Sequence, residues 1–186
     1  MDRMRQENQT SAERLRYPIG RFNAPASIGP QDRAQWIEQI ANLPAELRST
    51  VADLEASDLD RPYREGGWTI RQVVHHLPDS HMNSYTRFRL ALTEDKPVIK
   101  PYQEAKWADL QDAKTAPIDI SLILLESLHT RWTILLRSMT GDQFDRAFVH
   151  PELGVVDLQQ ALGLYAWHGR HHVAQIAAFR NNNQWR

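Results

Sequence analysis

The stretch Trp167-His168-Gly169-Arg170-His171-His172 determines how the rest of this sequence is interpreted. His168 and His172 are four residues apart in a segment whose apolar residues have helical spacing. One turn of helix would place both imidazoles on the same face, about 6 Å apart along the axis. This spacing lets two imidazoles reach one metal ion, as in helical zinc sites. Burying two unliganded imidazoles side by side is costly, although two histidines paired with carboxylates or carbonyls remain the alternative.

A second pair of histidines, His75 and His76, occurs in the segment from Trp68 to Leu77. Adjacent residues on a helix point about 100° apart, so only one of the two can share a face with the first pair. Periodicity does not decide between them, because each lies on a flank of the apolar stripe. Three imidazoles from two helices would form a metal site with an open position, which indicates chemistry rather than a structural role.

The composition limits the classes of function. The chain has 186 residues, 41% of them hydrophobic, which suits one globular domain with a sizeable core. The net charge of −1 argues against a nucleic-acid partner. Cysteine is absent, so disulfides and a cysteine nucleophile are excluded and a metal must be held by nitrogen and oxygen. Most of the basic residues are arginines, which suit a small anionic ligand.

The N-terminal residues 1–17 are polar and contain no apolar run that could act as a signal peptide. The most apolar segment, residues 118–128, is too short and too polar to span a bilayer. We therefore expect a cytoplasmic protein without a membrane partner. We assign residues 1–30 to an extended N-terminal arm and residues 31–186 to a single helical domain.

Apolar residues at spacings of three and four predict four amphipathic helices. The first follows Pro30 and is expected to kink or split at Pro44, and the second follows an N-cap at Thr69 and is expected to bend at Pro78. A long connection, 93–117, precedes the third helix, for which we predict a buried stripe of Ile120, Leu124, Leu128, Trp132, Leu135 and Met139. Residues 146–156 predict a small β-hairpin, and the fourth helix begins near Asp157. The prediction is an all-α four-helix bundle with one long crossover.

The remaining histidines, His81, His129, His150 and His171, are interpreted as packing, capping or surface residues. Asp79 follows His76 by three residues, and its carboxylate could orient a liganding imidazole from behind, although a solvated charge is the more common case. Asp79, Glu126 and His129 are candidates for a general base, but no spacing argument favours any of them. The catalytic residues are therefore not identified from the sequence.

Several motifs together resemble the DinB/YfiT-like metalloenzymes, and within them the YfiT group of metal-dependent hydrolases. The motifs occur in order from about residue 17 to the C-terminus: Tyr17-Pro18-Ile19-Gly20, Pro62-Tyr63-Arg64, Gly66-Gly67-Trp68-Thr69 through His76-Leu77, Asp79 through Asn83, Leu128-His129, Arg131-Trp132-Thr133, His150-Pro151, and Ala161 through His172. The resemblance implies a DinB-like four-helix bundle whose metal ligands are His76, His168 and His172. It also implies a homodimer, with one divalent ion in each chain: zinc, or nickel as the second choice.

Three functions follow from a three-histidine site. The leading hypothesis is hydrolysis of a small-molecule substrate by metal-activated water. The resemblance also implies an alternative, S-transfer from a low-molecular-weight bacterial thiol such as bacillithiol or mycothiol, which would enter as a cosubstrate. The third is a non-catalytic, metal-stabilised dimeric bundle, which ranks lower because structural zinc sites usually have four protein ligands.

Overall fold

The computed structural model describes the backbone of residues 11–181 and the side chains of residues 13–181. Four long helices dominate it: α2 (Pro30–Val51), α4 (Ile70–Thr93), α7 (Ile118–Ser138) and α9 (Leu158–Asn181). The short elements are α1 (Ser11–Arg16), α3 (Ala56–Leu59), α5 (Glu104–Ala108), α6 (Gln111–Thr115), α8 (Gly141–Phe144), β1 (Ala147–His150) and β2 (Gly154–Asp157). The predicted four-helix bundle with a small hairpin before the last helix is confirmed.

The four long helices form a ring. Helix α2 packs against α7 and α9, and α4 packs against the same two helices from the other side. Close packing between α2 and α9 depends on Gly163 and Gly169. A Cβ atom at Gly169 would collide with the side chain of the fully buried Leu43, and one at Gly163 would lie 2.9 Å from the Trp36 ring. The small residues therefore set the distance between α2 and the helix that carries His168.

The core consists of two apolar clusters along the bundle axis. One includes Ile40, Phe88 and Trp132, and the other includes Leu47 and Leu77. Between them lies a layer of buried or half-buried histidines from α4, α7 and α9. Burying several imidazoles in one layer is unfavourable unless their nitrogens are satisfied, which makes this layer the chemically unusual part of the fold.

Three local predictions about the helices can be compared with the structure. Thr69 is the N-cap of α4: its hydroxyl accepts a hydrogen bond from the Gln72 backbone N–H, and the Gln72 side chain accepts one from the Thr69 N–H. Neither proline splits its helix, since α2 continues through Pro44 and α4 through Pro78. Of the two outcomes predicted for Pro44, a kink or a split, the split does not occur, because one lost backbone bond does not outweigh the burial of the apolar face on both sides of it.

The predicted buried stripe of α7 was wrong in phase. Of the predicted residues, Trp132 is buried, whereas Ile120 and Leu124 are exposed; the buried face otherwise carries Leu122, Leu125 and His129. Hydrophobicity misidentifies this face because it also contains the polar residues Ser121 and Thr133. The helical period was right, and the rotation about the helix axis was not.

The connection between α4 and α7 covers one side of the bundle. It contains α5 and α6, and the Gln72 side chain holds it to α4 by donating a 2.7 Å hydrogen bond to the Ala108 carbonyl. Nearer the start of this connection, the Ile99 N–H donates a hydrogen bond to the Val149 carbonyl, which joins the connection to the hairpin. The antiparallel hairpin pairs Ala147 with Asp157 and His150 with Gly154. Connection and hairpin together wall the open side of the histidine layer.

The N-terminal arm was predicted to be extended over residues 1–30. Residues 1–10 lie outside the described part of the chain. Within the rest, Ser11–Arg16 form α1, so this portion of the arm is helical rather than extended. No helix in residues 11–181 has both the length and the apolar character needed to cross a lipid bilayer.

Candidate metal centre

His76 of α4 and the pair His168 and His172 of α9 come together at one point. One ring nitrogen from each lies within 4.8 Å of the others. The Nε2 atoms of His76 and His168 are 3.2 Å apart. Two nitrogens bound at 2.0–2.1 Å to one tetrahedral zinc ion lie about 3.3 Å apart, so this separation suits shared coordination. The structure thus assembles the three residues named from the sequence.

Burial keeps these three imidazoles uncharged. It holds the pKa of His76, His168 and His172 well below the ordinary histidine value, and their mutual proximity lowers the pKa further because each would repel a charged neighbour. Only an unprotonated nitrogen can bind a metal ion, so the neutral forms are the ones a metal centre requires.

A line of hydrogen bonds runs from His168 through the bundle. His168 Nδ1 lies 3.2 Å from His81 Nε2, His81 Nδ1 lies 2.9 Å from His129 Nε2, and His129 Nδ1 lies 2.6 Å from the Ile40 carbonyl oxygen. We refer to these residues, His168, His81, His129 and Ile40, as the histidine relay. It takes one residue from each of the four long helices.

The direction of each bond in the histidine relay follows from its last member. The Ile40 carbonyl can only accept, so His129 donates from Nδ1 and its Nε2 is left as an acceptor. His81 then donates from Nδ1 to His129, and its Nε2 accepts from His168 Nδ1. A neutral imidazole carries one proton, so His168 presents a lone pair at Nε2, the atom that faces His76.

A second chain of hydrogen bonds orients His172 in the same way. The Gln175 Nε2 group donates to the Arg16 carbonyl (2.9 Å) and to the Tyr63 hydroxyl (3.1 Å), which fixes the direction of the amide. Its Oε1 atom therefore faces His172 Nδ1, at 2.8 Å, and accepts a hydrogen bond from the N–H there. His172 is left with an unprotonated Nε2. Both α9 imidazoles are thus set by chains that end on a main-chain carbonyl.

His75, the alternative to His76, has no free ring nitrogen. Its Nε2 donates to the Ala116 carbonyl at 3.1 Å, and its Nδ1 accepts from the Ser121 hydroxyl at 2.7 Å. These bonds tie α4 to the start of α7. His75 is therefore a buried histidine satisfied by the protein, and His76 is the member of the pair that faces α9.

The other predicted site residues lie outside this cluster. The Asp79 carboxylate makes no hydrogen bond to an imidazole in the described part of the chain. Burial, and to a smaller extent the nearby Asp112, raise the pKa of Asp79 to about 6. Glu126 forms an exposed ion pair with Arg48. His171 stacks on Trp167 with ring centroids 4.6 Å apart, and its Nε2 lies 3.0 Å from Gln175 Nε2. His150 accepts a hydrogen bond from the Glu152 N–H in the hairpin turn. Packing and capping describe these two histidines.

The roles of His81 and His129 were not predicted from the sequence. Both were interpreted as packing, capping or surface residues, and His129 was also a candidate general base; both are almost completely buried. Their connection to His168 depends on contacts across three helices, which spacing along one helix cannot reveal. One signal was present: His81 follows the buried Leu77 by four residues, so it occupies a position in the apolar stripe of α4 although its side chain is polar.

The three imidazoles open onto a cavity of about 800 Å³. Its walls come from α4, α5, α9, the hairpin and the connection after α4, and many of its side chains are apolar, including Phe148, Val156 and Leu164. A cavity of this size accommodates a small organic molecule. Three neutral nitrogen ligands beside such a cavity leave coordination positions of an ion open to water or substrate, which is the arrangement of catalytic zinc sites.

Comparison with known proteins places the chain among proteins with this architecture. The model of the DinB superfamily matches residues 31–176. Proteins named "Putative metal-dependent hydrolase" from Bacillus cereus (strain 03BB102) and from Bacillus thuringiensis subsp. konkukian (strain 97-27) are each 54% identical to this chain over 171 residues. The matched region covers 92% of this chain and 98% of each relative.

A solved structure shares the fold. YfiT from Bacillus subtilis, described as "a probable metal-dependent hydrolase with an unusual four-helix bundle topology", is 49% identical to this chain. The match has a TM-score of 0.90 and covers 93% of this chain and 99% of YfiT.

Proposed function

Because this chain belongs to the DinB superfamily, we propose that it is a metal-dependent hydrolase whose divalent ion is held by His76, His168 and His172. The observation that carries the proposal is the pair of hydrogen-bond chains behind His168 and His172. Each chain places the proton of its imidazole on Nδ1 and leaves Nε2 available as a ligand. Partners of this kind orient metal-bound histidines and raise their basicity.

The donor set suits zinc, with nickel as the second choice. Imidazole nitrogens bind both ions well, and the absence of cysteine excludes a thiolate site. When bound, such an ion lowers the pKa of a coordinated water to about 7 and polarises a substrate carbonyl. Three neutral ligands leave the full charge of the ion for this purpose.

Residues around the cavity supply the rest of the site. The Tyr102 hydroxyl lines the cavity and is itself buried; Ser80 is near enough to interact with it, but no described residue makes a hydrogen bond of standard geometry to it. Burial raises the pKa of Tyr102 above its ordinary value, so the phenol keeps its proton at neutral pH. We assign it to donate a hydrogen bond to a substrate oxygen. Trp68 packs against His76 with ring centroids 4.8 Å apart and shields that imidazole from bulk water.

The first experiment tests the metal. Protein purified without a nickel column is analysed for bound elements beside the double variant His168→Ala/His172→Ala, with His150→Ala as the matched control. We expect about one zinc per chain in the wild type and in the control, and none in a double variant that remains helical by circular dichroism. Wild-type protein that neither contains nor takes up a divalent ion would overturn the proposal.

The second experiment tests hydrolysis. Metal-loaded wild-type protein, chelator-treated protein and the Tyr102→Phe variant are compared on a panel of esters and amides. Hydrolysis that requires the ion, and a lower rate with Tyr102→Phe at unchanged metal content, would support the proposal. Turnover that occurs only with an added low-molecular-weight thiol would replace hydrolysis with S-transfer as the function.

A further inference from the structure

One arginine of α4 differs from the other arginines of the described chain. Four of them, Arg14, Arg87, Arg131 and Arg170, make no hydrogen bond, ion pair or ring contact among residues 13–181. Three of these are exposed to solvent, where an unpaired guanidinium costs nothing. Arg87 alone is half-buried, and it lines the cavity that contains the three metal-site histidines. The N–H donors of a partly desolvated guanidinium must be filled by water or by a ligand, and an anion satisfies both the donors and the charge.

The register of α4 places Arg87 in line with the metal site. His76, Ser80 and Arg87 all line the cavity. The eleven residues from His76 to Arg87 make three helical turns plus about 20°, so both residues lie on the same face, about 16 Å apart along the axis. Arg87 is thus at the far end of the cavity floor that begins at His76.

No carboxylate among the described residues of the cavity neutralises the charge of Arg87. Tyr165 lines the same cavity, where burial raises the pKa of its phenol and the positive charge of Arg87 opposes that rise. Glu104 and Glu152 also line the cavity, but neither forms an ion pair with Arg87. The cavity therefore offers a free guanidinium fork at one end and the imidazole cluster at the other.

Building on the proposed function, we propose that Arg87 is the binding subsite for a carboxylate or phosphate at the end of the substrate remote from the bond that is hydrolysed. The apolar walls formed by Phe148, Val156 and Leu164 then contact the chain that links the two ends. The substrate class is an elongated acyl compound with a terminal anion. Arginine recognises such a group through two parallel hydrogen bonds, which the exposed Lys106 at the same cavity cannot provide.

The test uses a ligand that binds at both ends. Monohydroxamates of linear dicarboxylic acids, in a series of increasing chain length, are titrated into zinc-loaded protein at low ionic strength beside the same compounds with the terminal acid converted to an amide. We expect the acid to bind about tenfold more tightly than the amide at the length that spans the cavity. The preference should disappear in Arg87→Gln, weaken in Arg87→Lys and persist in Arg89→Gln, an exposed neighbour on the same helix.

A second measurement separates this subsite from the metal. In metal-free protein, the Arg87 Nε–H resonance, identified by its loss in Arg87→Gln, is followed by NMR while suberate is added. A shift with suberate but not with its diamide supports the subsite, even if the hydroxamates fail to bind and the hydrolase proposal falls. An equal affinity for acid and amide together with an unshifted Arg87 resonance, or an acid preference that survives Arg87→Gln, would overturn it.

Discussion

The Nδ1 atom of His168 lies 3.2 Å from Nε2 of His81, while the Nε2 atom of His168 faces His76. One ring nitrogen of His168 is therefore bonded within the protein, and the other faces the candidate metal site. His81 is in turn held by His129, and His129 by the Ile40 carbonyl. The tautomer of His168, which lines the cavity, is thus set by the Ile40 carbonyl of α2, on the far side of the core.

The hydrogen-bond directions predict the tautomer of four histidines. His81, His129, His168 and His172 should all carry their proton on Nδ1 in the metal-free protein, and His75 should carry its proton on Nε2. Long-range nitrogen–proton NMR correlations distinguish the two forms at neutral pH. His75 is the internal control, since its Nε2 donates to the Ala116 carbonyl. A proton on Nε2 of His168 would contradict the assigned direction of the relay.

Interrupting the histidine relay should weaken metal binding without removing a ligand. In His129→Asn the amide can still donate to the Ile40 carbonyl but cannot reach His81, so His81 and His168 lose the constraint on their tautomers. We expect the zinc dissociation constant to rise about tenfold, measured by competition with a chromophoric chelator.

His129→Gln is the matched variant, because its longer side chain can accept from His81 and gives up the bond to Ile40. It should retain more of the zinc affinity than His129→Asn. Equal losses in the two variants, in proportion to their unfolding free energies, would show that His129 matters only for packing.

Gln175 should have two separable functions. Gln175→Leu removes the acceptor for His172 Nδ1 and leaves that N–H buried without a partner, so zinc affinity should fall about tenfold. Gln175→Glu keeps an acceptor for His172 but can no longer donate to the Arg16 carbonyl. We expect it to retain zinc binding and to loosen α1, seen as faster trypsin cleavage at Arg16. Loss of zinc binding in both variants would contradict the assigned orientation of the amide.

Asp79 should reduce stability at neutral pH. Its pKa is raised to about 6 in the folded protein by burial and then by Asp112, against about 3.9 in the unfolded chain. The folded state therefore binds more protons between these values, and stability falls as the pH rises from about 4 to about 6. Asp79→Asn should gain stability over that window, reaching about 1 kcal/mol above pH 6 after allowance for solvent screening.

Urea unfolding of the metal-free proteins at pH 4.5 and pH 7.5 would measure this change. The exposed Asp95→Asn is the control and should show no such dependence. A stabilisation by Asp79→Asn that is the same at both pH values would rule out titration of Asp79 as its cause.

The sequence was sufficient for the architecture because helical periodicity and an N-cap such as Thr69 are local signals. It was insufficient for the face that α7 buries, since that face includes His129, Ser121 and Thr133 while Ile120 and Ile134 are left exposed. A hydrophobic pattern cannot identify a buried face whose polar groups are satisfied by partners elsewhere in the chain.

The candidate site, like the fold, was predictable only as far as local spacing along one helix reaches. The spacing of His168 and His172 pointed to a shared face, but spacing did not separate His75 from His76. The difference between those two comes from Ser121 and Ala116, more than forty residues away, which occupy both nitrogens of His75. For the same reason His81 looked like an ordinary core residue: its partners belong to α7 and α9.

The histidine relay takes one residue from each long helix, so the affinity of the candidate site for a metal ion would depend on how all four helices are aligned. A slip of α2 against α7 by a fraction of a turn would move the Ile40 carbonyl away from His129 and release the proton order at His168. Substitutions deep in the core, with no contact to the cavity, would then change the ion's affinity before they unfold the chain. Zinc occupancy would record how accurately the four helices are aligned.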